Sequence, residues 1–227
     1  MKKNFKKTIV VAGWYGTGKT EFCVNLALSL KRDISETIYL ADLDVINPYF
    51  RSRDKADFLK SHGIEIIGNN INDSLNQDIP ALDNKALRHI LQGDNLIVDL
   101  AGSLNGLKPL SIFKRHLKEG EYDFFVVLNA FRSDVNTIKT MIEFIQNAEI
   151  ISALKVTGII NNSHLLHMTT PELILESQEL IEKVSQKVNI PIKLTLVKTE
   201  IYNIINNKIT SPILTFDELI MRKDWQN

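Results

Sequence analysis

The chain has 227 residues, 44% of them apolar, which suffices for one large core and excludes a disordered or fibrous chain. Its 27 basic and 27 acidic residues cancel, so the totals favour neither a nucleic-acid backbone nor an anionic membrane as partner. A lone cysteine, Cys23, excludes a disulfide framework or a thiolate cluster and reads as a small buried residue. At the start, Lys2, Lys3, Lys6 and Lys7 precede an apolar stretch that ends at Ala12, too short for a secretory core. No run approaches the length that crosses a bilayer, and a cytoplasmic protein is expected.

In chain order, apolar runs of strand length alternate with amphipathic segments of helix length. Strands are predicted at Thr8–Ala12, Thr37–Ala41, Ile64–Ile67, Asn95–Leu100, Asp123–Asn129, Lys155–Ile160 and Ile192–Val197. Helices are predicted near Lys19–Lys31, Lys55–His62, Asn84–Gln92, Leu107–Lys118, Asp134–Ala148 and Pro171–Val188. The last carries stop signals at both ends, with Thr170 before Pro171, Glu172 in the first turn and Asn189 at the close. The tail from Lys198 reads less cleanly, with a short helix expected at Phe216–Arg222. Repeated βαβ units of this kind build an α/β, three-layer, doubly wound and mostly parallel sheet of about seven strands. Leu96-Ile97-Val98 and Phe124-Phe125-Val126-Val127-Leu128 are apolar on both faces, as central strands covered by helices on each side must be. No linker or repeat interrupts the pattern, so one domain over 1–227 is expected.

Directly after the first strand, Gly13-Trp14-Tyr15-Gly16-Thr17-Gly18-Lys19-Thr20 matches G-x-x-x-x-G-K-[ST] and runs into a helix. Successive backbone N–H groups in such a loop form an anion nest, and the helix N-terminus adds partial positive charge. Polyphosphate is the natural ligand. Lys19 would reach the β- and γ-phosphates, and the Thr20 hydroxyl would ligate Mg²⁺. The nucleotide-binding set on this reading is Gly13, Tyr15, Gly16, Thr17, Gly18, Lys19, Thr20 and Glu21.

Ligands of open α/β sheets lie beyond the carboxyl ends of the strands, so the residues just after each strand are the ones to search. After the second strand, Asp42 and Asp44 stand two apart and project to one side if the strand continues. After the fourth, Asp99-Leu100-Ala101-Gly102 supplies an acid for Mg²⁺ and a glycine whose N–H can meet the terminal phosphate. After the sixth, Asn161 and Asn162 can contact a purine edge through their amides. Guanine-reading loops carry N-K-x-D there, and the missing Lys and Asp favour adenine, hence ATP. His164 and His167 lack a carboxylate or thiolate companion and read as loop residues rather than a metal site. After the fifth strand, Arg132 stands where it could touch phosphate or a partner, or cap a helix.

Together these residues resemble the MinD/ParA-like branch of P-loop NTPases, which includes the CobQ/CobB and nitrogenase iron protein relatives. The resemblance runs from the Gly13–Thr20 loop through Ala41-Asp42-Leu43-Asp44 and Val98–Gly102 to Gly158–Asn162. It implies ATP hydrolysis coupled to homodimerisation or to a protein partner. It implies Asp44 as the switch I acid that orients the attacking water, with Lys19 as its catalytic companion and Asp42 nearer the metal. It implies Asp99 and Gly102 in switch II, metal ligation by Thr20, Asp42 and Asp99, and Asn161 or Asn162 at the base.

One departure stands out. The branch writes its loop K-G-G-x-G-K-[ST], and the first Lys crosses a dimer interface, whereas this chain has Trp14 at that position and Tyr15 at the first paired glycine. Charge developing on a transferred phosphoryl group needs a positive partner, and Arg51, Arg53 and Arg132 are the substitutes in view. A slow Mg²⁺-dependent ATPase switch is the leading expectation. A small-molecule kinase or ligase, and a non-hydrolysing nucleotide-binding interaction protein, are the alternatives.

Overall fold

The computed structural model describes residues 5–43, 55–67 and 79–221. The strands are β1 (Thr8–Gly13), β2 (Ile38–Asp42), β3 (Ile64–Ile67), β4 (Asn95–Asp99), β5 (Tyr122–Leu128), β6 (Gly158–Asn161), β7 (Ile192–Lys198) and β8 (Ile213–Phe216). The helices are α1 (Lys19–Lys31), α2 (Ala56–Ser61), α3 (Ile79–Gln92), α4 (Leu110–Phe113), α5 (Ile138–Ser152), α6 (Pro171–Val188) and α7 (Thr199–Ile205). All eight strands form one sheet in the order β3-β2-β4-β1-β5-β6-β7-β8, and every pairing is parallel.

The period-2 geometry of a strand sends alternate residues of β1 to opposite faces, and both faces are apolar. Val10 and Ala12 join Val98, Phe124 and Val126 beneath Phe113, Phe144 and Ile181 of α4, α5 and α6. Ile9 and Val11 join Ile97, Phe125 and Val127 beneath Phe22 and Leu26 of α1. Phe22, Phe113, Phe124 and Phe125 are fully buried. Each such side chain contributes about 1.5–3 kcal/mol relative to exposure, so the two layers hold the middle of the sheet rigid under the loops.

Helix ends follow local chemistry. Thr170 accepts from Leu173 N at the start of α6, Pro171 takes a position that needs no N–H donor, and Asn189 closes the helix in the left-handed region at φ 54°. Thr137 and Thr140 form a reciprocal capping box at the start of α5.

The differences from expectation concentrate in segments with weak periodicity. The region expected as a helix over Leu107–Lys118 is a 3-10 turn at Leu104–Leu107 followed by the four-residue α4. Pro109 separates the two, because it has no N–H to continue the turn into α4. The helix expected at Phe216–Arg222 does not form over 216–221; an eighth strand, β8, ends at Phe216 instead. Its pairing with β7 is a long-range choice, from Thr195↔Ile213 to Lys198↔Phe216, that local propensity does not report.

Candidate functional site

The order of the sheet reverses around β1, which lies between β4 and β5, and the loop leaving β1 therefore opens into the crevice at the carboxyl edge. Gly13 ends the strand where a Cβ would lie 2.6 Å from Val127 O and 2.8 Å from Thr17 Oγ1, so only glycine lets the loop turn there. Gly16 and Gly18 take φ +71° and +81°, left-handed values that side chains resist. The loop wraps the carbonyl of Trp14, which accepts from Thr17 N at 3.3 Å, Thr17 Oγ1 at 2.9 Å and Lys19 Nζ at 3.3 Å. α1 starts at Lys19 with no side chain capping its first turn, which leaves backbone donors for an anion. The cradle fits a polyphosphate.

Gly102 closes the opposite wall. A Cβ there would lie 2.9 Å from Tyr15 Cα and 3.0 Å from both Lys19 Nζ and Tyr15 Cδ2. Tyr15 thus rests against Gly102 while remaining 41% exposed. Trp14 turns the other way and packs edge-on against Phe144 of α5, with ring centroids 5.7 Å apart at 85°. Of the two aromatics in the loop, one is structural packing and the other is presented at the rim.

Beneath the loop sit two acids. Asp42 and Asp99 end adjacent strands in direct register and are each 1% exposed. Lys19 is buried in the same neighbourhood, and all three charges act on the fully buried Cys23 thiol. Burial first, then the Asp99 charge, push that thiol well above its ordinary value; Lys19 opposes the shift and Asp42 adds to it. Cys23 is therefore a buried neutral thiol beside Asp99, not a nucleophile. Buried carboxylates side by side call for cationic charge, and hard oxygen donors suit Mg²⁺. Asp44, Arg51 and Arg53 lie outside the described residues.

The loop after β6 braces the cradle. Asn162 Nδ2 donates to Thr17 O at 2.7 Å, so its amide is engaged with the loop backbone. Asn161 Nδ2 donates to Gln178 Oε1 at 2.9 Å, and its Oδ1 accepts from Ser163 N at 3.1 Å. Ser163 Oγ accepts from Ala130 N at 2.9 Å, and Asn129 Nδ2 donates to His164 O at 3.3 Å, which ties the loop after β5 to the loop after β6. Replacing Asn162 with Ala should remove one buried brace and cost about 1–3 kcal/mol. Thermal unfolding should show the loss; a variant as stable as the parent would mean that the loop holds its shape unaided.

Glu21, grouped with the phosphate loop on sequence, has its carboxylate turned to the tail, where it accepts from Ile220 N at 2.8 Å and Met221 N at 2.9 Å. The tail then forms a wall of a small cavity of about 20 Å³ lined by Asn162, His164, Leu166, Lys198, Phe216 and Leu219. Sequence reading had not singled out Lys198, although it ends β7 at the searched edge. Nothing local marked Phe216 and Leu219, because they arrive through the unexpected strand. His167 is exposed, and among the described residues no cluster of three metal-binding side chains occurs.

A parallel sheet ordered in this way, with a glycine-rich phosphate cradle between β1 and α1 and acids at the ends of β2 and β4, defines a P-loop NTPase fold. Among solved structures the chain is similar to the cell division protein FtsY of Thermotoga maritima, with 23% identity and a TM-score of 0.57 over 84% of this chain and 61% of that one. FtsY of Mycoplasma mycoides gives 21% identity and a TM-score of 0.59 over 82% and 58% of the two chains. The signal recognition particle receptor FtsY of Elizabethkingia anophelis, solved in complex with GDP, gives 19% and 0.57 over 84% and 57%. The chain spans about three fifths of the length of these structures. No protein-family model matches it, and neither does any curated protein. Among the described residues no helix is long and apolar enough to cross a membrane.

Proposed function

We propose that this chain is a cytoplasmic nucleotide switch of the MinD/ParA-like kind that binds Mg²⁺ and ATP and hydrolyses the nucleotide slowly, in step with a protein partner. The observation that carries the reading is the cradle itself: Gly13, Gly16 and Gly18 held in shapes only glycine tolerates, over buried Lys19, Asp42 and Asp99. Thr20, Asp42 and Asp99 would hold the metal, which supplies charge neutralisation across the phosphates. Asp44, two residues beyond Asp42, is assigned to orienting the attacking water.

Adenine is supported by the loop after β6, where Asn162 and His164 stand in place of the Lys and Asp of the guanine-reading N-K-x-D pattern. The GDP in one similar FtsY structure supports guanine instead. Calorimetric titration with ATP and with GTP, each with and without Mg²⁺, separates them. ATP should bind more tightly and depend on Mg²⁺; tighter GTP binding would reassign the base, and binding of neither would overturn the function. In the same assay Asp44→Ala should keep ATP binding and lose phosphate release.

A further inference from the structure

The loop after β5 brings Arg132 onto the phosphate loop. A Cβ on Gly16 would lie 2.8 Å from Arg132 Nε, with Cζ and Nη2 nearer still, so the guanidinium lies on the Gly16 backbone at the rim of the nest. Two features make this placement more than a passing surface contact. The backbone of the loop is fixed from both sides: Arg132 N donates to Asn129 O at 3.2 Å, Val135 N donates to Arg132 O at 2.9 Å, and Asn129 and Ala130 are bonded to the loop after β6. That second loop is itself bonded to Thr17 O through Asn162, so the arginine and the nest share one frame. The side chain is also exposed, and among the described residues no carboxylate forms an ion pair with it. A helix-capping or salt-bridging role therefore has no partner on the described surface, and the guanidinium is left against Gly16 of the phosphate loop.

We propose that Arg132 is a catalytic cation supplied in cis, whose guanidinium binds the nucleotide's terminal phosphates and neutralises charge on the oxygen that bridges them during hydrolysis. This rests on the nucleotide-switch reading above. In the reaction a water oxygen bonds to the γ-phosphorus while the bond from that phosphorus to the bridging oxygen breaks. ADP leaves with the electron pair, and the water's proton passes to phosphate and solvent. Negative charge accumulates on the bridging oxygen and the transferred group, and a planar fork of N–H donors is suited to meet it. The position that could have carried a lysine in the loop holds Trp14, whose ring is committed to Phe144. With the cation in cis, a single chain carries the full complement, and specific activity does not depend on protein concentration.

The test compares the parent chain with Arg132→Ala and Arg132→Lys, using ADP and a non-hydrolysable ATP analogue in calorimetry alongside phosphate release. Because Arg132 is exposed, circular dichroism of the variants should match the parent. The Ala variant should bind the ATP analogue about tenfold more weakly, the worth of one charge-assisted hydrogen bond, with ADP affinity changed less. Its hydrolysis should fall roughly 10³-fold, and Lys should restore part of both. Mixing Arg132→Ala with Lys19→Ala should restore nothing, since each chain lacks a group it must supply itself. Unchanged analogue binding and hydrolysis in Arg132→Ala would overturn the inference, as would restored activity in the mixture, which would show the arginine acting across a dimer. If the parent chain binds neither nucleotide, the nucleotide-switch reading falls first and this one with it; if the parent binds and only the variant data disagree, this one alone falls.

Discussion

Lys19→Ala should abolish measurable nucleotide binding and also lower the stability of the free protein. The two effects share a cause. Lys19 is 6% exposed, and its Nζ donates to Trp14 O from the same neighbourhood that holds Asp42 and Asp99, each 1% exposed. Removing one partner from a buried set of charges leaves the others uncompensated, at about 3–5 kcal/mol. Part of that loss falls on the free protein, and at about 2–4 °C per kcal/mol for a chain of this size the melting temperature should drop clearly. A separate loss falls on the ligand, because the point charge that would meet the β- and γ-phosphates is gone; about 3–4 kcal/mol corresponds to two to three decades in affinity. Lys19→Arg separates the contributions. It keeps the positive charge, so the melting temperature should recover, while the wider guanidinium disturbs the contact with Trp14 O and leaves binding weak. Calorimetry and thermal unfolding on the three proteins check this, and an Ala variant that binds ATP like the parent would remove Lys19 from the site.

The shape of the loop between β1 and α1 was legible in the sequence because it depends on local facts: a strand, a glycine spacing and a helix that follow one another within thirteen residues of chain from Thr8 to Thr20. The pairing of Asp42 with Asp99 was half legible. Each acid ends an apolar run, but their direct register depends on β2 and β4 being neighbours, which only the sheet order reveals. The roles of the polar residues after β6 were harder to read. An asparagine's chemistry allows a base contact or a brace, and the brace from Asn162 Nδ2 to Thr17 O at 2.7 Å spans a sequence gap of 145 residues that no local pattern reports. The tail was least legible. β8 is four residues long, and the Glu21 carboxylate that holds the backbone after it looks, in sequence, like one more residue of the first helical turn.

Asp99→Asn should make the free protein more stable while removing its response to Mg²⁺. Asp42 and Asp99 face each other at the ends of adjacent parallel strands, both shielded from water, with Lys19 acting in the same buried neighbourhood. Like charges in a poorly solvated site raise each other's cost of ionisation. Asparagine preserves the shape of the side chain, so the substitution removes charge without opening a cavity. Relief of that repulsion, a gain of about 1 kcal/mol, should appear as a rise of about 2–4 °C in the melting temperature of the free protein. Bound nucleotide should act oppositely. For the parent chain, Mg²⁺ and ATP at a hundredfold excess over Kd should stabilise by about 2.7 kcal/mol, and the Asn variant should lose the part of that shift that depends on the metal. Thermal unfolding with and without Mg²⁺ measures both. A variant that is less stable when free would show that the acid at this position holds the fold together, and an undiminished Mg²⁺ response would place the metal elsewhere. The expected pairing, stability gained where binding is lost, is what a site that trades stability for cation binding produces.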